Sequence, residues 1–268
     1  MWPGPGDLAV PGPISVKRPP RKGAQPKCVL TRTPTDLTKE FEMKRLMMSA
    51  TLGLAFGLAV SAAPAFEVDE SKITTPAEAL AELKAGNERF LTGNTIKQDF
   101  QRQIEKTAGG QAPYATVLSC LDSRIPPEII FDQGIGDLFI GRVAGNIEDI
   151  HMIGSFEFAK GVMGTKLLVV MGHTSCGAVK GACDNAKLGS LTHLLSDIRP
   201  TVELIQSRHP GENVCDAPHL DEISEENVRR TIADIREKST VISDLEDEGK
   251  LMVVGAMYDI STGKVRFL

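Results

Sequence analysis

Continuous apolar runs alternate with stretches of helical period along most of the chain. The runs predict four buried strands, at residues 114–119, 138–140, 166–171 and 251–256, and an edge strand at residues 264–268. Strands that are buried on both faces and separated by helices are typical of a mostly parallel sheet. We therefore expect one α/β domain with four core strands, an edge strand and helices on both faces of the sheet.

The stretches of helical period predict helices at residues 76–92, 100–106, 150–160, 188–208 and 222–238. The first of them has the clearest limits, because Pro76 favours a first turn and Gly93 favours an end. In a sheet of this kind, functional groups collect at the carboxyl ends of the strands.

The first 65 residues carry no part of this domain. Residues 1–42 are rich in proline and glycine and lack an apolar period, which predicts a disordered or misassigned extension. Residues 43–65 have a basic start, an uncharged apolar run and the small residues Ala63-Pro64-Ala65, which is the order of a signal peptide. The apolar run is short for a bilayer span, which disfavours a transmembrane anchor.

These features predict that translation starts at Met43 and that the mature chain begins near Phe66. Such a chain is exported, periplasmic or secreted, and keeps no stable membrane anchor after cleavage. A long basic start of the signal peptide, or an organellar presequence, is the alternative. The folded domain is then expected over residues 66–268.

Composition narrows the classes of function. Hydrophobic residues make up 41% and charged residues 24% of the chain, which is ordinary for a globular protein. The net charge of −5 disfavours nucleic acid as a partner, because a protein surface that binds nucleic acid needs a basic stripe. The cysteines number five, so metal ligation or free thiols account for some of them.

Two short motifs stand directly after predicted strands. Cys120-Leu121-Asp122-Ser123-Arg124 follows the first strand, and His173-Thr174-Ser175-Cys176-Gly177 follows the third. Two thiolates and an imidazole suit zinc, and three protein ligands leave a fourth position for water, as in catalytic zinc sites. From spacing alone, a buried core cysteine and a cysteine nucleophile stay open as alternatives.

The paired motifs, Cys-x-Asp-Ser-Arg and His-x-x-Cys-Gly, resemble the signature of the β-class carbonic anhydrases, and of bacterial members in particular. Residues 85–90, 137–146 and 255–259 resemble the first helix, the second strand with its loop, and the last core strand of that family. The resemblance covers nearly all of residues 74–268. It implies a β-carbonic anhydrase-like catalytic domain that converts carbon dioxide and water reversibly to bicarbonate and a proton, by attack of zinc-bound hydroxide.

The resemblance also implies the roles of individual residues. It gives one Zn²⁺ per subunit three ligands, which are Cys120, His173 and Cys176. It makes Asp122 and Arg124 the catalytic pair, with Asp122 a possible fourth zinc ligand in a closed state. It assigns substrate binding to the Gln111 side chain, which reaches across a dimer interface, and to the Gly177 backbone N–H. A homodimer or a larger even-numbered oligomer follows.

A few further positions bear on regulation and proton transfer. Some bacterial relatives carry a tryptophan three residues before the first cysteine, in a non-catalytic bicarbonate pocket tied to the closed state. This chain has Val117 there, so we expect an open site. No single histidine is assigned as proton shuttle, and the candidates are His151, His193, His209 and His219.

Three other functions stay open at this point. A COS or CS₂ hydrolase of the same fold shares the zinc signature. A non-catalytic zinc protein needs neither Asp122 nor Arg124, and a redox or cysteine-nucleophile protein would use Cys176 and His173 without zinc. Export to an oxidising compartment also permits a disulfide between Cys183 and Cys215, which sequence alone neither requires nor excludes.

Overall fold

The computed structural model describes residues 72–268. The predicted extension at residues 1–42 and the predicted signal peptide at residues 43–65 lie outside the described part. Among the described residues, no helix combines the length and the apolar character that a membrane span requires.

A sheet of five strands forms the centre of the domain, in the order β2-β1-β3-β4-β5. The strands are β1 (Ala115–Ser119), β2 (Leu138–Arg142), β3 (Leu167–His173), β4 (Met252–Tyr258) and β5 (Val265–Phe267). The first four run parallel, and β5 pairs antiparallel with β4 as an edge strand. The predicted architecture of four core strands and an edge strand is confirmed.

The helices, in chain order, are α1 (Pro76–Thr92), α2 (Phe100–Thr107), α3 (Pro127–Ile130), α4 (Ile150–Glu157), α5 (Gly177–Cys183), α6 (Leu191–Arg208), α7 (His219–Lys238) and α8 (Thr240–Asp247). A short 3₁₀ turn spans Ala144–Asn146. The predicted helix at residues 150–160 is α-helical to Glu157, and a π-helical turn at Phe158–Val162 replaces its last three residues.

Alternate residues of the strands build two apolar layers, because side chains of a strand point in turn to opposite faces. On one face, Val117 and Val169 pack with residues of α1, α5 and α6. On the other face, Leu118 and Val170 pack with residues of α4, α7 and α8. Both faces of the central strands are therefore covered, which explains their continuous apolar sequences.

Local signals set the limits of α1. The Thr75 hydroxyl accepts a hydrogen bond from the Glu78 N–H, and the Glu78 carboxylate accepts one from the Thr75 N–H, which completes a capping box. Gly93 ends the helix with a φ of 71°. Within α1, Gly86 faces the end of α3 so closely that a Cβ there would lie 1.8 Å from the Phe131 carbonyl oxygen.

Candidate metal centre

The ends of two neighbouring parallel strands bring three ligand side chains together. Cys120 directly follows β1, and His173 is the last residue of β3, which pairs with β1 along its length. Cys176 stands one residue before α5. The two sulfur atoms and a ring nitrogen of His173 all lie within 4.8 Å of one another, so the structure places these three predicted ligands in one Cys–His–Cys cluster.

The burial and hydrogen bonding of His173 fit a metal ligand. Its ring is fully buried, and Nδ1 lies 2.9 Å from the Thr174 carbonyl oxygen. If Nδ1 donates to that oxygen, Nε2 carries a lone pair. Nε2 is itself buried and has no hydrogen-bond partner in the described part of the chain. A buried, unpartnered acceptor beside two buried thiols matches the donor set of a zinc site.

The two thiols have different surroundings. The Gly145 N–H donates to Cys120 Sγ over 3.2 Å. A hydrogen bond between the two sulfurs lowers the pKa of Cys120 and raises that of Cys176. The N–H groups of Ala178 and Val179, at the start of α5, favour the Cys176 thiolate. A metal held by both thiolates would displace the proton that they share.

A turn between His173 and Cys176 aims both side chains at the same point. Ser175 has a φ of 54°, which is uncommon for a residue with a side chain. The Asp221 carboxylate on α7 accepts a hydrogen bond from the Ser175 N–H at 2.7 Å. The Thr174 hydroxyl accepts another from the Ile260 N–H at 3.1 Å. The turn is thus fixed from two distant parts of the chain.

Asp122 and Arg124 form an ion pair beside the cluster. Both carboxylate oxygens of Asp122 contact the guanidinium, at 2.9 Å and 2.6 Å. This pairing lowers the pKa of Asp122 to about 2. Arg142 donates hydrogen bonds to the carbonyl oxygens of Cys120 and Asp122, which fixes the loop after β1.

The remaining predicted positions lie around this centre. Gly177 is the first residue of α5, so its N–H has no acceptor within the helix. Gln111 is exposed in the segment between α2 and β1, outside the Cys–His–Cys cluster. Val117 is fully buried in the middle of β1, where it is part of the apolar layer.

The sequence did not predict several residues that hold the Cys–His–Cys cluster in place. Asn227 on α7 donates to the Gly145 carbonyl at 2.8 Å and so holds the residue whose N–H binds Cys120. Asp221 and Arg142 hold the two ligand loops. In the sequence, these residues are visible only as polar positions in a mostly apolar helix or at the end of a strand. Such a position does not reveal which group the side chain binds.

The fold and the site together define a class of protein: an α/β protein with a candidate Cys–His–Cys metal site at the ends of neighbouring parallel strands. The comparisons with known proteins are more specific. The family model described as carbonic anhydrase matches residues 115–265. Carbonic anhydrase 2 of Mycobacterium tuberculosis is 37% identical over 199 residues, which cover 71% of this chain and 92% of that protein. The chain belongs to the β-class carbonic anhydrase family.

Solved structures are similar as well. The β-carbonic anhydrase CafA of Aspergillus fumigatus is 27% identical, with a TM-score of 0.57, over 72% of this chain and 89% of that one. Tetrameric β-carbonic anhydrases of Sordaria macrospora give 26% identity and a TM-score of 0.54, over 63% of this chain and 90% of that one. These similarities support the sheet order and the helical layers described above.

Proposed function

We propose that this enzyme catalyses the reversible hydration of carbon dioxide to bicarbonate and a proton, with one zinc ion per subunit. The observation that carries the proposal is the buried Cys–His–Cys cluster beside the Asp122–Arg124 ion pair, in a chain of the carbonic anhydrase family. A purely structural zinc site needs no such ion pair, and a cysteine nucleophile needs no second cysteine at the same point.

Cys120, His173 and Cys176 would hold the zinc, and their number leaves one position open, as in catalytic sites. Zinc bound there supplies a Lewis acid that lowers the pKa of water toward neutrality. Two thiolates cancel the charge of the ion, so positive charge nearby assists this effect. Arg124 supplies it, since its guanidinium lies close enough to interact with both sulfurs.

Asp122 orients the attacking water. Its lowered pKa keeps it ionised at neutral pH, so it accepts a hydrogen bond from the water and directs an oxygen lone pair toward carbon dioxide. Arg124 holds the carboxylate by two hydrogen bonds, which keeps Asp122 available for the water rather than for the metal. We propose that the resting site is open for this reason.

Two groups are proposed to bind the substrate. The Gly177 N–H, at the amino terminus of α5, has no acceptor within the helix, and we propose that it donates to an oxygen of bicarbonate. The Gln111 side chain is exposed in this chain, and we propose that it reaches the site of a partner subunit. The active site is then complete only in an oligomer.

The apolar surface of α2 supports an oligomer. Gln103 is the only buried residue of this helix, while Phe100 and Ile104 are 54% and 50% exposed. The Ile135 N–H donates to Gln103, which brings the 42% exposed Ile135 next to the same helix. A partner subunit would bury these side chains, and similar chains of Sordaria macrospora are tetrameric. We propose a homodimer or a larger even-numbered assembly.

The experiment that tests this function uses the chain from Phe66, purified with zinc. Zinc content and stopped-flow hydration of carbon dioxide are measured on the same preparation, with COS and CS₂ hydrolysis in parallel. After dialysis against zinc-free buffer, we expect about one tightly bound zinc ion per chain and rapid hydration of carbon dioxide. Hydrolysis of COS or CS₂ without hydration would contradict the proposal, and so would full activity without zinc.

We also propose that the mature enzyme is exported, on the signal-peptide order of residues 43–65. Intact mass of the protein from its natural host tests this. We expect a mature chain that begins near Phe66. A peptide from residues 1–42 in that host would contradict translation from Met43.

A further inference from the structure

A second group of ligand side chains lies where α6 and α7 meet. His209 directly follows α6, His219 is the first residue of α7, and Glu212 lies in the loop between them. A ring nitrogen of each histidine and a carboxylate oxygen of Glu212 all lie within 4.8 Å of one another. With Glu222, which lies one turn further along α7, these residues form what we call the histidine–glutamate cluster.

Glu222 sets the orientation of both rings. Its Oε2 lies 3.0 Å from His209 Nε2 and 3.2 Å from His219 Nδ1. A neutral imidazole has one N–H and one lone pair. When both rings donate to Glu222, the lone pairs of His209 Nδ1 and His219 Nε2 face Glu212, whose oxygens lie 3.9 Å and 2.9 Å from them.

This arrangement favours positive charge between the ligand atoms. Two lone pairs and a carboxylate that face one another repel, unless positive charge lies between them. Protonation of His219 supplies this charge at one ring, because Glu222 and Glu212 accept from its two nitrogens and raise its pKa. Protonation of both rings is opposed, because their centroids are only 4.2 Å apart and two like charges at that separation repel. One divalent ion avoids this repulsion. A carboxylate that accepts from the other ring nitrogen, as Glu222 does, is the usual support of a metal-binding histidine.

The backbone around the histidine–glutamate cluster is held in place by side chains from α6 and α7. The Gln206 side chain donates to the carbonyl oxygens of both His209 and Glu212, at 3.1 Å and 3.0 Å. The Arg208–Glu226 ion pair joins the end of α6 to α7 at 3.1 Å. The ligand side chains therefore start from fixed positions.

We propose that His209, Glu212 and His219 bind a divalent transition metal ion such as zinc, and that Glu222 orients the two histidines. Two imidazoles and a carboxylate are a donor set that suits zinc, with a fourth position for water. The Glu212 side chain is 59% exposed, so this ion exchanges with solvent more readily than one in the buried Cys–His–Cys cluster. Bound there, the ion joins the carboxyl end of α6 to the amino end of α7.

Calorimetric titration tests this site. Protein whose Cys–His–Cys cluster already holds zinc is titrated with Zn²⁺, and we expect a further, weaker binding event of one ion per chain. The His209→Ala/His219→Ala double variant should abolish that event. The matched control is His151→Ala/His193→Ala, which removes two exposed histidines elsewhere and should leave the event unchanged.

Two single variants still test the metal site if the double variant folds poorly. Glu222→Gln should weaken the further event by about 10- to 100-fold, the usual effect of losing a group that orients a ligand. Glu212→Gln removes a ligand from an exposed side chain and should weaken it at least as much. The proposal is overturned if only one ion binds per chain, or if the further event is unchanged in the Glu212→Gln variant.

Discussion

The Arg124 guanidinium binds both carboxylate oxygens of Asp122, with Nε 2.9 Å from Oδ1 and Nη2 2.6 Å from Oδ2. The Arg124 backbone N–H also donates to Oδ1, at 2.9 Å. Three hydrogen bonds thus fix the direction of one carboxylate. That carboxylate stands two residues after the first cysteine of the Cys–His–Cys cluster, so its direction decides what it contacts there.

Arg124→Ala should therefore lower the rate of carbon dioxide hydration by about 10²- to 10⁴-fold, the usual contribution of a positioned proton acceptor. The tightly bound zinc should stay at one ion per chain, because no ligand of the Cys–His–Cys cluster is removed. Stopped-flow rates and zinc content check both. Arg229→Ala is the control, because Arg229 is similarly exposed and pairs with a glutamate. A near-normal rate in Arg124→Ala would exclude the proposed role.

Cys176→Ser should lose zinc and activity together, because it removes one of three protein ligands. Cys183→Ser is the matched control: it makes the same change in the same short helical region but lies outside the Cys–His–Cys cluster. Zinc content by mass spectrometry and hydration rate are compared for the two variants. Full zinc content in an inactive Cys176→Ser variant would show that Cys176 is not a ligand.

Gly86→Ala should lower the free energy of unfolding by at least about 2–3 kcal/mol, because the new Cβ would lie 1.8 Å from the Phe131 carbonyl oxygen. Gly154→Ala, also within a helix, meets no atom within 4 Å and should raise it by about 0.5–1 kcal/mol. Urea unfolding of both variants measures the contrast. Equal effects would mean that α1 and α3 are not in close contact.

Cys183 and Cys215 should form a disulfide on mild oxidation. Both are free thiols in the structure, and burial together with a hydrogen bond to Cys215 raises the pKa of Cys183, so the two sulfurs are neighbours. Intact mass after alkylation should show two alkyl groups fewer than in the reduced protein, and Cys183→Ser should abolish this difference. Two alkylated thiols after oxidation would contradict this expectation.

The sequence predicted those parts of the fold that depend on local signals. The limits of α1 were correct because Pro76 and Gly93 act on the backbone next to them. The core strands were found because burial on both faces leaves a continuous apolar run. By contrast, α5 was missed, since Gly177–Cys183 is short and rich in glycine, and its position follows from the ligand loop that precedes it.

In the candidate site, too, the local features could be predicted from the sequence and the long-range contacts could not. The motifs indicated Cys120, His173 and Cys176, and strand order brings them together. The contact of Asp221 with the Ser175 N–H spans 46 positions and depends on how α7 packs on the sheet, so no local pattern predicts it. The roles of Gln111 and Gly177 stay predictions, because a single chain does not test them.

The parallel pairing of β1 with β3 affects the order of events in folding. Ala115 pairs with Leu167, so a long segment must close into a loop before the two strands meet, and its entropy is lost first. Until then, no structure holds Cys120 next to His173 and Cys176. We expect zinc to be captured late in folding, by a sheet that is already assembled. Chelation should then speed unfolding and leave the refolding rate almost unchanged.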